Sequence, residues 1–163
     1  MAMIPASLAV AGGAGGAGFG GQYYDPGLTS ANHSLMYISG FGYGRSEAPF
    51  GQRIGGFGMA ILSGDGTAAG GVGGMLLGQE FRAGPLVAAL TLFYGVGGMA
   101  YNDSGYMVLF GEADFELGIA LLWTQVTAYA GLQAWGNLIP GFPLSSAVVY
   151  TPVLGVRVAW GAF

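Results

Sequence analysis

Between Leu109 and Leu121 the chain alternates, residue by residue, between two chemistries, and this alternation limits the available folds more than anything else in the sequence. One parity reads Leu109, Gly111, Ala113, Phe115, Leu117, Ile119, Leu121, and the other reads Phe110, Glu112, Asp114, Glu116, Gly118, Ala120. Successive side chains of a strand point to opposite faces, so the segment reads as a strand with one apolar face and one polar or small face. A helix would spread the three carboxylates around its circumference. The same period recurs along the chain. Leu86, Ala88, Leu90, Leu92, Tyr94 and Val96 oppose Val87, Ala89, Thr91, Phe93, Gly95 and Gly97, and Leu35, Tyr37, Phe41 and Tyr43 oppose Met36, Ile38, Gly40, Gly42 and Gly44. Phe57, Met59 and Ile61 oppose Gly56, Gly58 and Ala60, and Val148, Tyr150, Leu154, Val156, Val158 and Trp160 oppose Val153, Gly155, Arg157 and Ala159. Taken together, these runs predict large apolar residues on the outside and Gly or polar residues on the inside.

Composition excludes the ordinary alternatives. Hydrophobic residues make up 53% of the 163 and charged residues 7%, against a usual ~25% charged. Twelve ionised groups cannot cover the exterior of a soluble domain of this size, and so apolar a chain cannot be disordered. The 34 glycines keep no three-residue period, so the chain is not collagen. Its only cations are Arg45, Arg53, Arg82 and Arg157, unclustered and at net charge −4, which excludes nucleic-acid binding. With no cysteine, disulfides and thiolate metal sites are ruled out as well. No linker divides residues 1–163, which read as one domain. Met1 to Gly21 is apolar but lacks a basic start, and Pro5 and several glycines interrupt it. It therefore reads as mature chain, with any signal peptide lying upstream.

Two uncharged stretches, Ala83 to Asn102 and Leu117 to Val156, are long enough for transmembrane helices. Their density of Gly, Thr, Val, Tyr and Pro argues against helix, since each Gly costs ~1 kcal/mol relative to Ala. Turn signals instead cut the chain at hairpin spacing: Asp25 to His33, Ser46 to Gly51, Ser63 to Gly66, Ala83 to Pro85, Tyr101 to Gly105 and Trp135 to Ser146. A further, unmarked reversal falls near 119–123. These divide the chain into eight strands, at about 8–24, 34–45, 52–63, 67–82, 85–101, 105–119, 122–135 and 146–163. The predicted fold is all-β, a closed antiparallel up-and-down membrane β-barrel.

In this pattern the sequence resembles the small eight-stranded outer-membrane β-barrels of the OmpA/OmpX type. The last segment, Gly155 to Phe163, strengthens the likeness, since such barrels commonly finish on an aromatic residue that the outer-membrane assembly machinery recognises. The resemblance implies a bacterial outer-membrane location, contact with membrane lipid and Phe163 as the assembly signal. Phe163 lies in the parity of Arg157 and Gly161, so turning it outward needs a bulge near Gly161, and Pro152 needs a bulge or an unpaired N–H. Tyr23, Tyr24, Tyr101, Tyr106, Trp123, Trp135 and Trp160 fall near strand ends, where interfacial girdles form.

A lumen of eight strands has room only for side chains. Arg53, Glu80, Arg82, Glu112, Asp114, Glu116, Gln125, Gln133 and Arg157 are placed there, primarily as a plug of ion pairs, because buried charges must be paired. A narrow gated pathway is one alternative. A calcium site on Glu112, Asp114 and Glu116 is another, although one strand cannot readily aim enough oxygens at a single ion. No metal or cofactor is expected. His33 and Ser34, adjacent in the first long loop, are the only hint of the chemistry of lipid-modifying outer-membrane enzymes, and no nucleotide, zinc or hydrolase motif occurs. The functional expectation is a non-catalytic barrel with a structural, anchoring or surface-interaction role, with self-association or a protein partner as further contacts. The rival is a subunit of a self-assembling extracellular filament or sheet. A narrow pore and a lipid-modifying enzyme are weaker alternatives.

Overall fold

The computed structural model describes residues 12–24, 33–46, 50–64, 66, 68–101, 104–137 and 148–162. They form eight strands: β1 (Gly12–Tyr24), β2 (His33–Arg45), β3 (Phe50–Ser63), β4 (Ala68–Ala83), β5 (Leu86–Tyr101), β6 (Ser104–Leu121), β7 (Thr124–Asn137) and β8 (Val148–Gly161). Each pairs antiparallel with the next, and β8 closes onto β1. No helix occurs among the described residues, so the helical reading of the uncharged stretches falls away. A closed sheet gives every central strand two partners and leaves no open edge.

Stepping across partners from Ala14 on β1 through Tyr43, Gly55, Leu76, Phe93, Glu112 and Gln133 to Thr151 on β8 ends in register with position 24 of β1, ten residues from the start. A shear of ten over eight strands tilts the strands by about 40–45° and leaves a bore that side chains fill. The start of β1 and the end of β8 share one end of the barrel, here the near end, with the β2–β3, β4–β5 and β6–β7 turns. The longer connections 25–32 and 138–147 lie at the far end.

The unmarked reversal is a two-residue turn at Leu122 and Trp123, with Leu122 at φ 53°. It places two residues assigned to the seventh strand in the turn instead. The β4–β5 turn has the same plan, with Gly84 at φ 60° followed by Pro85, the order that a tight type II′ hairpin favours. Pro152 needs no bulge, because it pairs with Leu132 in unbroken register. The β1–β8 ladder stops at Gln22 and Val153, so Pro152 has a strand partner on one side only.

Two face assignments are inverted relative to the sequence reading. On β2, Leu35, Tyr37 and Tyr43 are buried in the lumen, and on β3 so are Phe57, Met59 and Ile61. Gly40, Gly42, Gly56 and Gly58 face outward. A bore this narrow still has to be filled, and the charged residues of β4, β6 and β8 fill only part of it. The outward face of β1 to β4 consequently carries a band of glycine between larger residues such as Phe19, Ile38, Ile54 and Met75: Gly13 and Gly15 pair with Gly44 and Gly42, Gly42 and Gly40 pair with Gly56 and Gly58, and Gly58 pairs with Gly73.

Other glycines do make room inside. Gly20 and Gly155 face each other across the closing seam, and a Cβ on either would run into the Tyr129 hydroxyl. This pair leaves the slot that the Tyr37–Tyr129 couple occupies.

Candidate functional site: the charged lumen

Every residue of the predicted polar interior faces the lumen. Arg53, Glu80, Glu112, Asp114, Glu116, Gln125, Gln133 and Arg157 are buried, and Arg82 is partly so. Arg45, at the end of β2, joins them. Sequence reasoning missed it because β2 was assigned inside out, although its shared parity with Tyr37 and Tyr43 carried the signal. Phe163, the predicted assembly signal, lies outside the described residues.

Strand alternation and register bring these groups together. Glu112, Asp114 and Glu116 project from successive inward positions of β6, and Arg157 on β8 reaches across β7 to meet all three. Its Nη1 donates to Glu116 Oε1 at 3.0 Å and its Nη2 to Glu112 Oε1 at 2.8 Å, with Asp114 Oδ2 also on Nη2. Arg53 bridges the two carboxylate groups: Nε donates to Glu80 Oε2 at 2.8 Å and Nη1 to Glu116 Oε2 at 3.1 Å. Glu80 also receives Arg82 Nε and lies 3.4 Å from Arg45 Nε. Neutral donors complete the set: Thr91 Oγ1 on Glu116 at 2.7 Å, Gln133 Nε2 on Glu112, and Trp135 Nε1 on Gln133 at 3.2 Å. Arg82 Nη2 donates to Gln125 at 2.8 Å.

Four arginines thus meet four carboxylates inside the barrel. The remaining acids, Asp25, Glu47, Asp65 and Asp103, all belong to connecting segments. Desolvating so many charges is tolerable only when each is paired and hydrogen-bonded. Aromatic faces add to the pairing: the Arg157 guanidinium lies 3.8 Å over the Tyr129 ring and 4.6 Å from that of Phe93. The Tyr37 and Tyr129 hydroxyls are 2.6 Å apart.

The lumen changes character along its axis. Arg45, Glu80, Arg82 and Gln125 lie near the near-end turns, whereas Leu35, Ile61, Val72, Val108, Phe110 and Trp135 pack the far half. Phe110 and Trp135 rings meet edge to face at 4.8 Å. Trp135, predicted in a girdle, is therefore a core residue, and Tyr106 also takes an inward position; Trp160 faces outward. The side chains of Tyr23, Tyr24 and Tyr101 lie outside the described residues.

What can this lumen do chemically? A void of about 10 Å³ touches Tyr43, Arg53, Glu116 and Arg157, and such a space holds about one water molecule and nothing larger. Glu112, Asp114 and Glu116 are engaged by arginine, not grouped for a cation, and no cluster able to hold a metal ion is found among the described residues. His33 and Ser34 open β2 opposite Tyr24 and Tyr23 and are not in the preceding loop.

No protein-family model matches the chain, and no curated protein matches its sequence.

Proposed function

We propose that the chain is a small integral membrane β-barrel of the bacterial outer-membrane, OmpA/OmpX-like kind, with a non-catalytic structural, anchoring or surface-interaction role. One observation carries this reading, namely that the protein is inside out. Among the described residues every charged side chain faces the lumen, while 28 large apolar side chains are exposed, from Phe19 on β1 to Trp160 on β8. Water would make that exterior a liability, since soluble monomers rarely expose large contiguous apolar patches. Lipid satisfies it, and closure of the barrel answers the backbone demand that a bilayer imposes. The charge-paired near half and apolar far half of the lumen act as a plug. On this reading the barrel's partners are membrane lipid and, through the C-terminal strand and Phe163, the outer-membrane assembly machinery. A protein partner would meet the barrel at its far end, where β1 and β7 end and β2 and β8 begin.

The rival filament reading has one supporting feature, the outward band of paired glycines across β1 to β4, which would allow close side-by-side contact. Against it, the closed barrel presents no edge strand to a neighbour. Extraction separates the two readings. The membrane barrel requires detergent and shows a heat-dependent shift in gel mobility, whereas ordered polymers growing in plain buffer would overturn the proposal. Loss of a lipid modification on His33→Ala or Ser34→Ala would refute the non-catalytic assignment.

A further inference from the structure

Tyr43 buries a phenol whose hydroxyl finds no partner among the side chains around it, and the same is true of Arg157 Nε. Both residues line the void of about 10 Å³ inside the charged lumen. Tyr43 is only 6% exposed, so bulk solvent does not serve the hydroxyl, and an unmatched buried donor opposes folding. The ring is also held where it is. It stacks on Phe41 with centroids 6.1 Å apart, and the Arg53 guanidinium carbon lies 5.0 Å from its centroid. A phenylalanine would pack against Phe41, Leu76 and Phe93 without burying an unmatched hydroxyl, so the phenol implies a partner inside the void.

The wall of the void supplies what a single water molecule needs. The volume matches one molecule, and a buried water makes about three hydrogen bonds. Tyr43 and Arg157 each bring an unused donor. Thr127, also on the wall, donates its hydroxyl to Glu116 at 3.3 Å and keeps lone pairs with which to accept. With Arg53, Arg157 and Glu116 on the wall, both signs of charge face the space, which suits a neutral molecule that donates and accepts through one oxygen.

We propose that this void is a structural water site, in which one ordered water accepts from the Tyr43 hydroxyl and from Arg157 Nε and donates to Thr127 Oγ1. Such a water ties β2 to β7 and β8. Between β2 and β8 lies β1, whose inward positions Ala14, Gly16, Gly18 and Gly20 carry no polar side chain. Side-chain ties past the closing seam therefore start on β2. Tyr37 makes one directly with Tyr129, and Tyr43 makes a second through the water. Because the site lies inside the lumen, its occupancy does not depend on what covers the outer wall.

Crystal structures of the wild-type barrel and of Tyr43→Phe, grown from detergent at a resolution that orders water, test the site, together with guanidinium unfolding of both in micelles. A water peak within hydrogen-bond distance of the Tyr43 hydroxyl is expected in the wild type and is expected to be lost or weakened in Tyr43→Phe, with a lower unfolding midpoint. Should Tyr43→Phe fail to fold, Ala159→Val fills the same void and is expected to displace the same peak. No peak in the wild type, or a peak unchanged by the substitution, would overturn the proposal. So would an unchanged or raised midpoint in Tyr43→Phe, which is the result for a dry void beside an unpartnered hydroxyl.

Discussion

Gly20→Ala and Gly58→Ala make the same chemical change on opposite sides of one wall, and opposite effects on stability are expected. A Cβ on Gly20 would lie 2.5 Å from Tyr37 Cζ and would also strike the Tyr129 hydroxyl. Neither ring has room to retreat: Tyr37 is 1% exposed, its hydroxyl is bonded to that of Tyr129, and the Arg157 guanidinium covers the other ring. Overpacking of this kind costs about 1–3 kcal/mol, and separating the two hydroxyls adds about 0.5–1.5 kcal/mol. The predicted loss is therefore about 2–4 kcal/mol. A Cβ on Gly58 meets nothing within 4 Å, so alanine there reduces unfolded-chain entropy and stabilises by about 0.4–1 kcal/mol. Guanidinium unfolding in detergent micelles, followed by tryptophan emission, measures both. Equal effects, or a Gly58→Ala loss as large as that of Gly20→Ala, would refute the assignment of faces.

Other changes probe the plug and the turn. Arg157→Met leaves Glu112, Asp114 and Glu116 without their shared cation, and should cost at least about 3–5 kcal/mol, read as a lower unfolding midpoint in the same micelles. Planar-bilayer recordings of the wild-type barrel should show no steps, because Phe110, Trp135 and Ile61 fill the far half of the lumen. Steps that vanish on Glu112→Gln with Glu116→Gln would show instead that the lumen conducts. Leu122→Gly relieves left-handed backbone strain worth about 1–2 kcal/mol against about 0.4–1 kcal/mol of added unfolded-chain entropy, so stability in micelles should rise by about 1 kcal/mol; a loss would mean that contacts of the exposed Leu side chain outweigh the strain.

The strand count and topology were readable because alternation and turn residues are local signals. The lumen cluster was readable because charge fixes a strand's inward face wherever it occurs. Glu112, Asp114 and Glu116 orient β6, and Arg157 orients β8. On β2 the only charge is Arg45 at the very end, and the rest of the strand offers bulky apolar residues on one face and Gly on much of the other. Side-chain size does not say which face is inward, because the interior also has to be filled. On β3, Arg53 shares parity with Phe57, Met59 and Ile61, so its charge already indicated that those three face the lumen. The β6–β7 turn escaped notice for a related reason: Leu122 and Trp123 carry none of the usual turn chemistry. The Tyr37–Tyr129 bond and the Gly20–Gly155 slot depend on register around the whole barrel, which no single segment encodes.

The central claim is that the outward wall faces lipid and the inward wall faces charge. Since the chain has no native cysteine, single cysteines can be placed at Leu90, Leu92, Tyr94 and Val96 along β5, spin-labelled and reconstituted in bilayers. Labels at all four positions are predicted to collide with oxygen and to be shielded from a water-soluble nickel chelate. Free collision with the chelate at Leu92 and Tyr94, or dipolar broadening from neighbouring copies in the absence of lipid, would contradict the account.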